Sequence, residues 1–112
     1  MVKSFLLYLK LFKMIYKQVI VSYDIEDTKI RSKLRKDLMG LGLVPVQKSV
    51  MWGYLNKAEE KAVKNLLSLT KIDKTTDAMF LAYADLEGAV KQGTTYGLKP
   101  TLFEHPDEDK II

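Results

Sequence analysis

The stretch Val19-Ile20-Val21-Ser22-Tyr23-Asp24-Ile25 constrains the fold of this chain more than any other. Its β-branched and aromatic residues predict a β-strand that runs into an acid. Side chains alternate along a strand, so Val19, Val21, Tyr23 and Ile25 share one face and Ile20, Ser22 and Asp24 the other. The first face is large and apolar and predicts a core. The second ends in a carboxylate, and an unpaired charge inside a sheet is costly. Asp24 therefore sits at the strand end, reaches water, or holds a cation.

The residues after this strand supply the rest of a small α+β domain. Asp27 is placed to cap a helix, whose apolar stripe is Ile30, Leu34, Leu38 and Leu41 and whose stop is Gly40 with Gly42. Lys29, Arg31, Lys33, Arg35 and Lys36 crowd its remaining surface. Against them stand only Asp27 and Asp37, so this face reads either as a solvated helix surface or as one that meets phosphates. Leu43 to Gln47 predicts a second strand, and Pro45 makes it an edge strand because proline donates no ladder hydrogen bond. Val50 to Tyr54 predicts a third, with Gly53 as the position for a bulge. Asn56 and Glu59 have capping-box spacing ahead of a second amphipathic helix carrying Ala58, Ala62, Leu66 and Leu69. Asp77 to Ala84 predicts a fourth strand. The order β-α-β-β-α-β is ferredoxin-like: a four-stranded antiparallel sheet with two helices on one face.

The two ends read differently. Phe5 to Leu9 is apolar, but Lys10, Lys13 and Lys17 interrupt the residues beyond it, so no run is long enough to cross a bilayer. Such a basic amphipathic segment suits a membrane surface or a partner. The alternative, which we favour, takes Met14 as the natural start, places residues 1–13 outside the fold and gives a domain over 14–104, with no membrane role. Past Leu86, Gly88, Gly93, Gly97 and Pro100 predict a looped segment, with room for a short extra strand between Leu98 and Phe103. Residues 105–112 read as a frayed acidic tail. The chain has no cysteine and one histidine, His105, which excludes thiolate zinc sites and leaves little for a histidine cluster or triad. That composition suits a cytoplasmic protein. A net charge of +4 with a pI near 9.2 leans towards polyanionic partners.

Two helices cover one face of such a sheet. The face bearing Ile20, Ser22 and Asp24 needs cover, and a second copy of the chain is the commonest cover. In a two-fold homodimer two Asp24 carboxylates meeting near the axis repel, so one takes a proton or a cation sits between them.

Val-Ser-Tyr-Asp-Ile at 21–25, Arg31, Leu38, Gly42-Leu43, Gln47-Lys48-Ser49-Val50 and Gly53 together resemble the CRISPR-associated adaptation proteins of the Cas-two family, without a gap from Val19 to Leu55. The resemblance implies a ferredoxin-like homodimer that bridges integrase dimers during spacer acquisition, with metal-dependent endonuclease activity in some members. By that resemblance Asp24 is the metal-binding aspartate, Tyr23 its strand neighbour, Arg31 a phosphate-handling arginine and Ser49 a serine near the dimer centre. Met51 stands where an aromatic residue usually follows Ser-Val, and Pro45 where an arginine is often found. Both departures bear on nuclease chemistry more than on fold.

Two functions from different classes are compatible with these residues. As an enzyme, the dimer would hold Mg²⁺ or another divalent cation on Asp24 and hydrolyse phosphodiesters, with Tyr23, Arg31 and Ser49 beside it. As an adaptor, it would hold duplex DNA through Arg31, Lys33, Arg35 and Lys36 while a CRISPR integrase does the chemistry. The polymer, duplex DNA or single-stranded RNA, is left open by the residues. A ferredoxin-like RNA binder is disfavoured because the strands show no convincing pair of exposed aromatics on one face. A small-molecule regulatory module is compatible with the fold.

Overall fold

The computed structural model describes residues 2–99, 102 and 103. Helix α1 (Val2–Ile15) is followed by β1 (Lys17–Asp24), α2 (Thr28–Gly40), β2 (Val44–Gln47), β3 (Val50–Leu55), α3 (Lys57–Leu69), β4 (Ala78–Tyr83) and α4 (Leu86–Gln92). The strands form one antiparallel sheet in the order β2-β3-β1-β4. Pairing Val21 with Met51 and Leu81 puts the central strand between β3 and β4. This is the ferredoxin-like arrangement, with each of α2 and α3 linking two strands that flank a third.

Period two decides the two sides of the sheet. Val19, Val21, Tyr23, Met51 and Leu55 form a closed core with Leu34 and Leu38 of α2 and Val63 of α3. Burying each such side chain contributes about 1.5–3 kcal/mol. Both helices start as their sequences require. Asp27 accepts the N–H of Ile30 at 3.0 Å, and Asn56 and Glu59 form a reciprocal capping box at 2.8 and 2.9 Å.

Gly53 does not mark a bulge. It lies where β3 passes the α2–β2 turn, and an added Cβ would stand 2.8 Å from the Gly42 carbonyl oxygen. The ladder irregularity falls instead in β2, between Pro45 and Gln47, on the edge strand where it disturbs one neighbour only. Gly42, at φ 104°, makes the turn that ends α2.

The segment after β4 is not wholly looped, because Leu86–Gln92 forms α4. Its glycine at 88 sits in the first turn, where Asp85 caps it by accepting the Gly88 N–H at 2.9 Å. Of the stretch read as having room for an extra strand, Pro100 and Thr101 lie outside the described residues, and Leu102 and Phe103 form a turn closed by Leu102 N–H on the Lys99 carbonyl at 3.2 Å. His105 and the tail 105–112 also lie outside them.

The second sheet face carries Gln18, Ile20, Ser22, Val44, Val50, Trp52, Tyr54 and Phe80 by register. One end of it is covered from within the chain. Phe12 of α1 is buried and meets Tyr54 edge-to-face at 4.8 Å, Phe103 meets Trp52 at 4.8 Å, and Glu87 of α4 accepts the Tyr54 hydroxyl. Gln18 ties this end together, accepting Trp52 Nε1–H at 3.3 Å and Glu87 N–H at 3.1 Å and donating to Asp85 at 2.7 Å. The other end stays open, with Phe80 55% exposed. Outward from the sheet, α1 exposes Phe5, Leu6, Leu7, Leu11, Met14 and Ile15. No helix among the described residues is long and apolar enough to cross a membrane.

Candidate nucleic-acid and metal site

Asp24 is the last residue of β1 and is exposed. It pairs in register with Ala78 and lies beyond Ser22 on the sheet face that α2 and α3 do not cover. The strand end thus delivers a carboxylate to water without the cost of burial.

The loop beyond it is clasped from two sides. Arg31, one turn into α2, reaches back and donates to the carbonyls of Ile25 at 2.7 Å and Glu26 at 3.3 Å and to Thr28 Oγ1 at 3.3 Å. From the far side Asp77, just before β4, accepts the Glu26 N–H at 3.0 Å. Asp77 is itself held by the Asp73 N–H at 3.1 Å and by the Thr76 hydroxyl at 3.1 Å. The Glu26 N–H, more than any other group, holds the Asp77 carboxyl below its ordinary range.

Tyr23 points the opposite way from Asp24. Its ring is buried in the core and its hydroxyl donates to the Lys48 carbonyl at 3.2 Å. Burial pushes its phenol up, against the opposing pull of Arg35 and Arg31. Ser49 lies in the β2–β3 turn, and its carbonyl accepts the Tyr23 N–H at 3.0 Å. Tyr23 and Ser49 are therefore joined through backbone, Arg31 reaches the loop rather than the Asp24 carboxylate, and the three do not converge on one reacting atom. On α2, Lys33 pairs with Asp37 at 2.6 Å, and Arg35 and Lys36 are exposed.

Among the described residues there is no cluster of three or more His, Cys, Asp or Glu side chains that could hold a metal ion. Mg²⁺ keeps several waters and binds through one or two carboxylates, so an exposed Asp24 fits the chemistry of one ligand to such an ion.

Asp77 was not singled out by sequence reasoning. Its signal was present in the Asp73-Lys74-Thr75-Thr76-Asp77 stretch, an acid- and threonine-rich turn of the kind that bonds its own backbone, but its reach to Glu26 depends on β4 lying beside β1.

The family described as CRISPR associated protein Cas2 matches residues 17–86, from the start of β1 to the start of α4. The CRISPR-associated endoribonuclease Cas2 1 of Francisella tularensis subsp. novicida (strain U112) is 50% identical over 60 residues, which are 52% of this chain and 62% of that protein. The chain thus spans less than two thirds of that relative's length. Among solved structures, Streptococcus pyogenes Cas2 at pH 6.5 is similar with a TM-score of 0.56 and 26% identity, over 71% of this chain and 99% of that one. The hypothetical protein TT1823 from Thermus thermophilus is similar with a TM-score of 0.53 and 26% identity, over 62% and 82%.

Proposed function

The chain belongs to the CRISPR associated protein Cas2 family, and from that premise we propose that it acts in CRISPR adaptation as a homodimeric, DNA-binding bridge for the integrase, with a metal-dependent endonuclease activity of its own. The observation that carries the reading is the placement of Asp24: exposed, at the end of β1, beside the open half of the sheet where Phe80 is more than half exposed. That apolar surface favours a second copy, and a second copy brings a second Asp24.

In this reading the two Asp24 carboxylates hold Mg²⁺, which when bound polarises a phosphodiester and acidifies its water. Arg31 and Asp77 keep the loop after Asp24 in one conformation. Arg35 and Lys36 give α2 its outward charge for duplex phosphates, with Lys33 sharing its charge with Asp37. The name of the Francisella relative supports an RNA-cleaving activity, whereas the bridging role calls for duplex DNA. We read both roles as those of a cytoplasmic protein.

The test is Asp24→Asn, which keeps the side chain's size and removes its charge. Cleavage and spacer integration are run side by side on one preparation, with light scattering for the dimer. The expected result is Mg²⁺-dependent cleavage lost by orders of magnitude with integration and dimer mass retained. Undiminished cleavage removes Asp24 as the metal ligand, and a monomer mass for the unaltered protein removes the shared site altogether.

A further inference from the structure

Among the described residues one charged side chain is buried: Glu60 of α3, 8% exposed. A sequestered carboxylate is costly unless its partners are fixed. Its partners are the Tyr83 hydroxyl, which donates to it, and the Lys64 ammonium at 3.1 Å. Lys64 also donates to the Tyr83 hydroxyl at 3.0 Å. The tyrosine hydrogen bond leads in holding the Glu60 carboxyl below its ordinary range. What these three groups immobilise is an aromatic ring on the outer strand β4 that is 53% exposed.

The surroundings of that ring are cationic. The ammonium of Lys17 lies 5.3 Å from its centroid and that of Lys64 5.6 Å. Lys57, Lys61 and Lys64 recur at helical spacing along the exposed side of α3. Beside them Ala58, Ala62, Asn65 and Ser68 line a shallow trough of small side chains. The acids nearby are already engaged: Glu59 in the capping box, Glu60 under Tyr83, and Asp85 with Gln18 and Gly88.

We propose that this surface is a contact for single-stranded nucleic acid, in which one base stacks on Tyr83 and the adjoining phosphates run between Lys17 and the Lys57–Lys61–Lys64 row. An aromatic ring held rigid among cations accepts any base, because every base has a π-face, and its affinity falls with salt. An acidic peptide would satisfy the lysines but has no use for a fixed, exposed ring. The proposal rests on the nucleic-acid function proposed for the family fold and adds a site separate from α2 and Asp24, on the helix-covered side of the sheet's β4 edge.

The experiment is an anisotropy titration of the full chain with labelled oligothymidylate, an abasic strand of equal length, and a duplex. The unaltered protein should prefer the base-bearing strand over the abasic one, and polyglutamate should compete poorly. Tyr83→Ala should weaken binding to oligothymidylate about tenfold and abolish the preference for bases. Tyr83→Phe keeps the ring and should keep the preference. Lys61→Ala should lower the salt slope by about 0.7 without touching that preference. Equal binding of base-bearing and abasic strands by the unaltered protein overturns the proposal without any variant having to fold. So does unchanged affinity in a folded Tyr83→Ala, or competition by polyglutamate as strong as by oligonucleotide. If duplex binding responds to Arg35→Ala and Lys36→Ala while bases confer nothing, this inference fails and the adaptor reading stands. If neither polymer binds, both fail.

Discussion

The carboxylate of Asp77 accepts the backbone N–H of Glu26 at 3.0 Å, so the residue ahead of β4 holds the chain two residues past Asp24. The contact joins positions 51 apart in sequence and closes the side of the loop that Arg31 does not reach. Asp77→Ala should remove it, together with the bonds from the Asp73 N–H and the Thr76 hydroxyl, and so lower stability. The Glu26 amide should then exchange with solvent faster while amides of the central strand keep their protection. Unchanged protection at Glu26 would mean that Arg31 alone holds the loop.

Acid should loosen the α3–β4 edge before it unfolds the core. The Tyr83 hydrogen bond, chiefly, lowers the Glu60 carboxyl below its ordinary value of 4.5. A group depressed in the folded state adds stability above its unfolded pKa and loses it as pH falls through the folded one. The melting temperature should therefore decline below about pH 4.5, and Glu60→Gln should flatten that part of the decline. Parallel curves for the two proteins would show that Glu60 is not linked to folding.

Most of this architecture was legible because it rests on local rules. The alternation in Val19–Tyr23, the Asp27 and Asn56 caps and the Pro45 edge each act within a few residues, and the sheet follows from their order. The features that stayed hidden depend on register. Gly53 reads as a bulge in isolation; only the approach of the Gly42 carbonyl explains it. Helix α4 is short and punctuated by glycine, and its first turn is fixed by Gln18 from β1 accepting the Glu87 N–H. Tyr83 looks like an ordinary strand residue until the Glu60 carboxylate is found beneath its hydroxyl. At the site, Asp24 was legible as a strand-end acid. The clasp by Arg31 was not, because a cationic helix residue reads as a phosphate contact until its guanidinium is seen on the Ile25 and Glu26 carbonyls.

Removing residues 1–13 should leave the fold cooperative. The core of Val19, Val21, Tyr23, Leu34, Leu38, Met51, Leu55 and Val63 contains no residue of α1. The loss includes buried Phe12, which meets Tyr54 edge-to-face at 4.8 Å and stacks on Tyr16 at 4.7 Å, a burial worth about 1.5–3 kcal/mol. The truncated chain should therefore melt roughly 6–24 °C lower in a single transition. Loss of the cooperative transition would make α1 part of the folding unit.

Arg31 separates two roles that its position alone would allow. Its Nη1 sits 2.7 Å from the Ile25 carbonyl and 3.3 Å from that of Glu26, and its Nη2 sits 3.3 Å from Thr28 Oγ1. A guanidinium makes these bonds together through its fixed fork, whereas an ammonium keeps the charge but not the geometry. If Arg31 mainly positions the loop, Arg31→Lys should cost about 1–3 kcal/mol of stability and reduce Asp24-dependent cleavage. Duplex affinity and its salt slope should hardly move, because the net charge is kept and Arg35 and Lys36 still face solvent. Asp77→Ala should impair cleavage in the same sense, since both changes free the same loop. If Arg31 mainly meets phosphates, Arg31→Lys should be tolerated and Arg31→Ala should flatten the salt slope by about one unit. Urea unfolding and salt-dependent duplex titration of the two Arg31 variants decide between these outcomes. A flattened slope in Arg31→Ala, with Arg31→Lys fully stable, would refute the positioning role.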